Sequence, residues 1–234
     1  VIESLMTIIN SNYEEWRMGH PDAPFTDFQF SPKKMSSSGC FYDLGKLDNL
    51  SKNVISKMPA NKLYDELYVW AKNYDKEFFD LINKYKDYTI SILNIEREQK
   101  KPRKDYAKYS DIKTKIWYMF DELWNERKKI YDFQTINDRE EIKNIVNIYL
   151  NKYYDESDDK ETWFNKIKDL SEQLGYAREV KAYKENPDAF KGHVGDISTV
   201  LRVAITSESM TPDLYEIMKL LGKNRMVSRI ENIN

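Results

Sequence analysis

Apolar side chains recur at helical spacing near the end of the chain. The spacing is three or four residues, the period at which side chains share one face of an α-helix. The members of this stripe are Val194, Ile197, Val200, Leu201, Ala204 and Ile205. A second run follows Thr211-Pro212-Asp213, where a hydroxyl, a proline and an acid suit the start of a helix. We expect this second helix to end at Gly222, because glycine tolerates the left-handed backbone that commonly terminates helices.

The same period continues through most of the remaining sequence. Residues 1–10 and the segment that starts at Asp43 fit amphipathic helices, with Asp43 as an N-terminal cap. Predicted caps of later helices are Ser110, Asn137 and Asp158. The chain holds only seven glycines and seven prolines, which also favours helices. The pattern therefore predicts an all-α fold.

Composition and charge narrow the class of protein. With 234 residues, of which 41% are hydrophobic and 32% charged, the chain is long enough for one large or several small globular domains. Its net charge of -2 restricts any nucleic-acid surface to local basic patches. The single cysteine, Cys40, excludes an internal disulfide and suits the reducing cytoplasm. No apolar run approaches the ~20 residues that cross a bilayer and no targeting leader opens the chain, so we expect a cytoplasmic protein without a membrane partner.

The most basic stretch lies in the middle of the chain, at residues 96–111. Its cations are Arg97, Lys100, Lys101, Arg103, Lys104 and Lys108. Tyr106 and Tyr109 lie among them, and such a combination can neutralise phosphates while the rings stack on bases. A solvated linker whose charges only keep the chain soluble fits the same residues. The segment alone does not decide between these interpretations.

Residue types that serve catalysis are sparse. His20 and His193 are the only histidines, so a zinc site would need Cys40 and distant carboxylates. His193, Asp196 and Ser198 superficially resemble a catalytic triad, but their closeness before a helix favours capping. No glycine-rich phosphate loop follows a strand. We therefore predict no catalytic residue and no metal ligand.

Two strings near the end of the chain carry a resemblance to a known family. G-D-x-x-x-x-L-R-x-A-x-T begins at Gly195, and P-D-L-x-x-I-M-x-x-L-G-x-x-R-x-x-x-R begins at Pro212. Together they resemble the C-terminal anticodon-binding segment of bacterial glutamyl-tRNA synthetases, which are class I aminoacyl-tRNA synthetases. Residues 39–52, GCFYDLGKLDNLSK, resemble the F-D-x-x-K-L segment of that family, and residues 1–17 resemble the helix before it. The resemblance covers nearly the whole chain.

The catalytic signatures of class I synthetases do not match. Residues 33–38 read KKMSSS, in which Ser37 replaces the second lysine of the K-M-S-K-S loop, and a structural loop is expected there. Gly19-His20-Pro21 lacks the second histidine of the H-I-G-H motif. The chain also starts inside a helical pattern, with no cap and no initiator methionine. We expect a fragment that is not catalytic alone and holds no cofactor, whereas the whole enzyme of the family uses ATP and magnesium.

The resemblance implies three segments and a set of RNA contacts. The segments are a connector over residues 1–60 and two helical anticodon-binding subdomains over residues 61–155 and 156–234. The implied tRNA contacts are Arg103, Lys104, Arg202, Arg225 and Arg229. Guanidinium groups suit both phosphates and base edges. For Arg202, an ion pair with Asp196 or Asp213 is an open alternative.

The function that this resemblance implies is binding rather than bond making. A monomer would bind the anticodon arm of tRNA and thereby contribute to tRNA glutamylation. This part of the family protein does not distinguish an enzyme specific for glutamate from one specific for glutamine, because the amino-acid pocket lies elsewhere in the family protein. A non-catalytic helical scaffold that binds another protein is the alternative.

Overall fold

The computed structural model describes residues 2–35, 43–231 and 233, and this part of the chain is built from α-helices. The helices are α1 (Ile2–Ile9), α2 (Tyr13–Gly19), α3 (Leu44–Lys57), α4 (Ala60–Tyr74), α5 (Lys76–Lys84), α6 (Lys86–Asn94), α7 (Tyr109–Ile116), α8 (Asp121–Glu126), α9 (Arg139–Ile148), α10 (Lys160–Gln173), α11 (Val180–Glu185), α12 (Val194–Thr206) and α13 (Leu214–Glu231). A π-helical turn over Tyr149–Tyr153 extends α9. No β-strand occurs within the described ranges, where extended pairing is confined to two isolated bridges, Asn10–Met35 and Ala177–His193. The all-α prediction is confirmed.

Aspartates start several of these helices. In each, a carboxylate oxygen accepts backbone N–H groups that have no partner inside the first helical turn. Asp43 accepts from two such groups at 2.8 and 3.2 Å, as predicted. Two other predictions are wrong by one residue, because Asp138 rather than Asn137 caps α9 and Asp159 rather than Asp158 caps α10.

Asp158 and Ser110, two of the predicted caps, do not cap the helices that were assigned to them. Asp158 forms an ion pair with Lys166 at 2.7 Å, so its carboxylate is not at the start of α10. Ser110, which was predicted to cap α7, lies inside that helix, because α7 begins at Tyr109. Asp111 accepts two upstream backbone N–H groups at 3.0 Å and thereby fixes the entry into this helix.

α13 begins later than the sequence predicts. Its helical path is interrupted at the glycine where the sequence predicts its end. Asp213 accepts the N–H of Glu216 at 3.1 Å and is the N-terminal cap, two residues after Thr211. The Thr211 hydroxyl donates to the carbonyl of Pro212 at 2.9 Å. At Gly222, φ of 70° and ψ of 166° interrupt the helical path. The break is confirmed, although this ψ lies outside the left-handed helical region that was expected.

α12 occupies the centre of the core. Its buried residues are Val194, Ile197, Val200, Leu201, Val203, Ala204, Ile205 and Thr206. Helices α9, α10 and α13 pack around it, which explains why apolar residues cover more than one of its faces. One set of buried apolar side chains runs from Ile55 to Ile230 and crosses position 155. The division into a connector and two subdomains stays a prediction.

The N-terminal helices pack around a small aromatic cluster. Tyr13 is buried, and its ring meets that of Phe28 edge to face at 4.9 Å. Arg17 pairs with Glu3 at 2.9 Å and so ties α2 to α1, which also packs on α3. Ser37 and Cys40, for which structural roles were predicted, lie outside the described residues.

We expect Gly222→Ala to lower the free energy of unfolding by about 1–3 kcal/mol, because it forces a Cβ into backbone angles that are essentially restricted to glycine. Space is not the obstacle, since no described atom lies within 4 Å of the added Cβ. Gly19→Ala is the matched control, because its Cβ also meets nothing within 4 Å among the described atoms and its φ is not positive. Denaturant unfolding measures both variants, and equal losses would contradict the strain.

Candidate nucleic-acid interface

The basic segment predicted from the sequence is a surface connection between α6 and α7. It turns at Glu96, whose φ of 54° is uncommon for a residue with a Cβ. Beyond this turn the exposed lysines are Lys100, Lys101, Lys104 and Lys108. None of their ammonium groups forms an ion pair within the part of the chain that the structure describes. They are open to an anion from solution.

Arg97 belongs to the same basic run but faces inward. Its guanidinium donates to the carbonyls of Ile55, Ser56 and Met58 at 2.8, 3.2 and 3.0 Å. These carbonyls end α3, where helical hydrogen bonds run out. Burial lowers the pKa of Arg97. Its role is therefore to cap α3, and the interpretation of Arg97 as a phosphate contact is wrong.

The two tyrosines in the basic run are not equivalent. Tyr106 is buried in the core, and burial raises the pKa of its hydroxyl far above the ordinary value. A buried ring offers no face to a base, so the prediction that Tyr106 stacks on RNA is wrong. Tyr109 is half-buried at the start of α7. The stacking prediction for Tyr109 stays a prediction.

Arg103 is held by a carboxylate in its own loop. Its Nε and Nη2 donate to the two carboxylate oxygens of Asp105, each at 2.9 Å. The Asp105 hydrogen bonds raise the pKa of the Arg103 guanidinium. This parallel pairing fixes the plane of the guanidinium. Arg103 is exposed, as is Lys104 next to it.

Arg202 on α12 is held at one nitrogen only. Its Nη1 donates to the carbonyl of Pro212 at 2.8 Å and to the hydroxyl of Thr211. Burial lowers the pKa of Arg202. Within the described ranges its Nε and Nη2 form no hydrogen bond, and neither Asp196 nor Asp213 forms an ion pair with it. The alternative of an ion pair with these aspartates is wrong, since backbone and hydroxyl oxygens hold Arg202 instead.

Glu96 connects these two arginines. One carboxylate oxygen of Glu96 accepts the N–H of Asp213 at 3.0 Å and lies 3.6 Å from Nε of Arg103. The positive charge of Arg103 and the negative charges of Asp213 and Glu96 all influence the pKa of Arg202. The structure therefore brings Arg103 and Arg202 into one site, which we call the Arg103–Arg202 cluster and define by Glu96, Arg103, Arg202, Thr211 and Asp213.

Arg225 and Arg229 lie in a second cluster around Asp121. Arg225 pairs with Asp121 at 2.9 Å, and its guanidinium lies 5.1 Å from the ring centre of Tyr88. Arg229 is only 2% exposed, donates to the carbonyl of Ile205 at 2.8 Å and lies 3.5 Å from Asp121. The RNA contacts that the sequence implies for these two residues stay predictions.

The surroundings of Arg229 favour a role in packing. Its guanidinium stacks on Trp124 with 4.4 Å to the ring centre, a favourable cation–π arrangement. Burial lowers its pKa to about 10. An RNA base that contacted Arg229 would first have to displace these partners.

A third group of cations was missed in the sequence. Arg127, Lys128 and Lys129 follow α8, and we call them the basic strip. Arg127 lies 5.0 Å from the ring centre of Trp117, and Lys129 lies 5.1 Å from that of Trp124. Three consecutive cations that follow two tryptophans are a visible signal in the sequence. Their signal is shorter than that of the basic run at residues 96–111.

Other candidate chemistry has a structural explanation. Nδ1 of His193 accepts the N–H of Gly195 at 3.0 Å, and Asp196 accepts the N–H of His193 at 2.8 Å. The prediction that these side chains cap α12 is confirmed. Among the residues that the structure describes, no group of three or more His, Cys, Asp or Glu is placed to hold a metal ion. No described helix is both long and apolar enough to cross a membrane.

The described part of the protein has an all-α core. Its surface segments carry guanidinium groups and lysines without ion-pair partners. These features are typical of helical domains that bind a polyanion. The sequence profile of the anticodon binding domain matches residues 101–234. The chain belongs to the anticodon-binding domain family.

Similar proteins cover the whole chain. A glutamate–tRNA ligase of Acetivibrio thermocellus is 46% identical over 233 residues, which are 100% of this chain and 42% of the relative. A glutamate–tRNA ligase of Clostridium perfringens is 43% identical and covers 98% of this chain and 42% of that protein. One of Sorangium cellulosum is 37% identical over 98% of this chain and 40% of its own length. The chain thus spans about two fifths of the length of these relatives.

We expect Arg229→Ala to lower the free energy of unfolding by about 2–4 kcal/mol, because it leaves the carbonyl of Ile205 without its donor and empties the space against Trp124. Lys104→Ala is the comparison, with an expected change within about 0.5 kcal/mol for an exposed side chain without an ion pair in the described chain. Denaturant unfolding measures both. An unchanged stability in Arg229→Ala would instead favour a role on the surface.

Proposed function

We propose that this chain binds the anticodon arm of a tRNA and that it thereby contributes to the glutamylation of that tRNA. The observation that carries the proposal is the Arg103–Arg202 cluster, whose two arginines lie inside the segment that matches the anticodon binding domain. The names and the identity of the relatives support glutamate as the amino acid. The protein acts in this proposal through binding energy and selectivity.

Arg202 is the best placed of the predicted residues to recognise a base. Its Nη1 is held by Thr211 and Pro212, so the plane of the guanidinium is fixed. Nε and Nη2 lie along the other edge of the fork and carry no hydrogen bond within the described chain. A guanidinium edge held in this way can donate two parallel hydrogen bonds to a base or a phosphate.

The exposed lysines between α6 and α7 serve the RNA backbone in this proposal. A lysine ammonium without an ion-pair partner can neutralise a phosphate and release a counterion. Phosphate contacts position the RNA but carry no sequence information. Lys104 stands next to Arg103, so a phosphate bound there would lie beside the Arg103–Arg202 cluster.

Further proposals follow from the same relationship. Bond making, with its ATP and magnesium, belongs in this proposal to the whole glutamate–tRNA ligase rather than to these residues. The remaining proposals are a monomer in the cytoplasm, without a cofactor in this part, and the division at residues 60 and 155.

We expect Lys104→Ala to reduce the slope of log affinity against log salt by about 0.7–0.9, because one phosphate contact is lost. The loss should be similar for tRNAs with glutamate, glutamine or unrelated anticodons. Titration of the wild-type chain and the variant with these tRNAs at several salt concentrations measures the slope. Lys72→Ala, which removes an exposed lysine of α4, is the control. An equal effect in both variants would contradict a local contact at Lys104.

We expect Arg202→Ala to weaken binding by about 1–3 kcal/mol for a tRNA with a glutamate anticodon and by little for an unrelated one. The reason is that a base contact distinguishes sequences, whereas a phosphate contact does not. Because Arg202 also holds the turn at Thr211, thermal unfolding of the variant is measured alongside. Equal weakening for all tRNAs would contradict base recognition. An absence of tRNA binding by the wild-type chain would favour a scaffold that binds protein.

A further inference from the structure

Both ends of one surface loop are attached to the same helix, α3. The loop comprises residues 98–106 between α6 and α7, and we call it the basic loop because it carries three of the exposed lysines. Just before it, Arg97 donates hydrogen bonds to the carbonyls at the end of α3. Just after it, the carbonyl of Ala107 accepts a hydrogen bond from the hydroxyl of Ser51 within α3. The basic loop is thus a strap with two attachments on one helix.

The basic loop has no regular secondary structure of its own. None of its backbone N–H groups donates to a carbonyl of another residue that the structure describes. Without such a backbone ladder, side-chain contacts and the attachments at the two ends keep a loop in one conformation. Inside the loop, Arg103 pairs with Asp105, and Tyr106 is buried. The attachments at Arg97 and Ser51 limit how far the rest of the loop can move.

Each attachment uses a group that has little access to water. The Arg97 guanidinium also donates to the carbonyl of Leu93 at 2.7 Å, so it joins α6 to the end of α3. Hydrogen bonds from a charged donor are stronger than those between neutral groups. At the other end Ala107 is buried, and its N–H donates to Asp111 at 3.0 Å. Loss of the Ser51 hydroxyl would leave the carbonyl of this buried residue without its donor.

α3 can support the loop because other helices hold it in turn. α1 packs on α3, and Lys46 of α3 pairs with Glu14 of α2 at 3.0 Å. Ser51 and Arg97 both precede residues 101–234, which match the anticodon binding domain. The support for the basic loop therefore comes from a part of the chain that the family profile does not cover.

We propose that Ser51 and Arg97 are positioning residues, which hold the basic loop in the conformation in which its lysines meet the phosphates of the RNA. This assignment rests on the proposed function, although neither side chain touches the RNA in it. A loop that is already held in its bound conformation loses less conformational entropy on binding. The affinity for RNA therefore depends on the two attachments, whereas the number of phosphate contacts does not.

The first test is a salt titration of Arg97→Lys/Ser51→Ala with a tRNA that bears a glutamate anticodon. This variant weakens both attachments and leaves the net charge unchanged. We expect about fivefold weaker binding, as for a loop that holds its bound conformation about one fifth of the time. The slope of log affinity against log salt is expected to stay unchanged, because no phosphate contact is lost.

Single substitutions at Ser51 serve if the double variant unfolds. Ser51→Ala is expected to weaken tRNA binding about twofold, the lower end of what one hydrogen bond contributes, because Arg97 still holds the other end of the loop. Ser51→Thr keeps the hydroxyl and is expected to bind like the wild type.

The second test needs no RNA. Trypsin cleaves after lysine and arginine, and exposed loops are cut faster when they open more often. Ser51→Ala is expected to raise the rate of cleavage within the basic loop about fivefold, the factor for one hydrogen bond when cleavage follows the population of the open loop. Ser91→Ala is the matched control, because the Ser91 hydroxyl donates within its own helix, to the carbonyl of Asp87 at 2.9 Å. It is expected to change neither the cleavage rate nor the tRNA affinity.

The two tests separate the positioning role from the proposed function. Faster cleavage with an unchanged tRNA affinity in Arg97→Lys/Ser51→Ala would overturn the positioning role and leave the proposed function standing. A reduced salt slope would also overturn it, because a phosphate contact would then have been lost. Unchanged cleavage in Ser51→Ala, or an equal effect in Ser91→Ala, would show that the attachment does not hold the loop. If the wild-type chain binds no tRNA, the proposed function fails and the positioning role fails with it.

Discussion

A guanidinium group that leaves water needs acceptors, and the packing of this protein depends on how that need is met. Arg97 donates hydrogen bonds to the carbonyls at the end of α3, and Arg202 donates to a carbonyl of the turn before α13. Arg229 donates to a carbonyl near the end of α12. These oxygens lie in the last turn of a helix, just after it or just before the next one begins, where the regular helical donors run out. The same hydrogen bonds that satisfy the arginines therefore also satisfy the ends of helices.

This constraint separates the two kinds of cation in the chain. Arginines with several donors are drawn into the folded structure, where they join distant elements, whereas the lysines between α6 and α7 stay exposed. A flexible ammonium loses little by remaining in water, and a buried one is costly. The result is a surface on which exposed lysines lie near a few guanidinium groups held by hydrogen bonds. Such a surface combines loose electrostatic attraction with a small number of oriented donors.

Much of the fold follows from the sequence, because the 3.6-residue period of apolar positions is a local property. Exact helix starts follow less well. At Asn137-Asp138 and at Asp158-Asp159 two adjacent side chains are chemically able to cap, and tertiary contacts such as the pairing of Asp158 with Lys166 decide between them.

The candidate site was predictable only in part, for the same reason. Arg97 and Lys104 belong to one basic run, yet only Arg97 lies within reach of the end of α3. No local pattern encodes that distance. The resemblance to a family led to Arg103 and Arg202 together, whereas the carboxylate that joins them, Glu96, had no signal of its own in the sequence.

The contact between Glu96 and Asp213 has a consequence for folding. It closes a loop of 117 residues. Contacts of such long range form late, because closing the loop costs chain entropy before the contact contributes any stabilisation. While the protein is being synthesised, α3 to α11 can acquire their helices before the second half of the cluster exists. A partly folded chain thus exposes lysines without oriented arginines. In the proposed function, discrimination among RNA sequences through this cluster therefore begins only with the last step of folding.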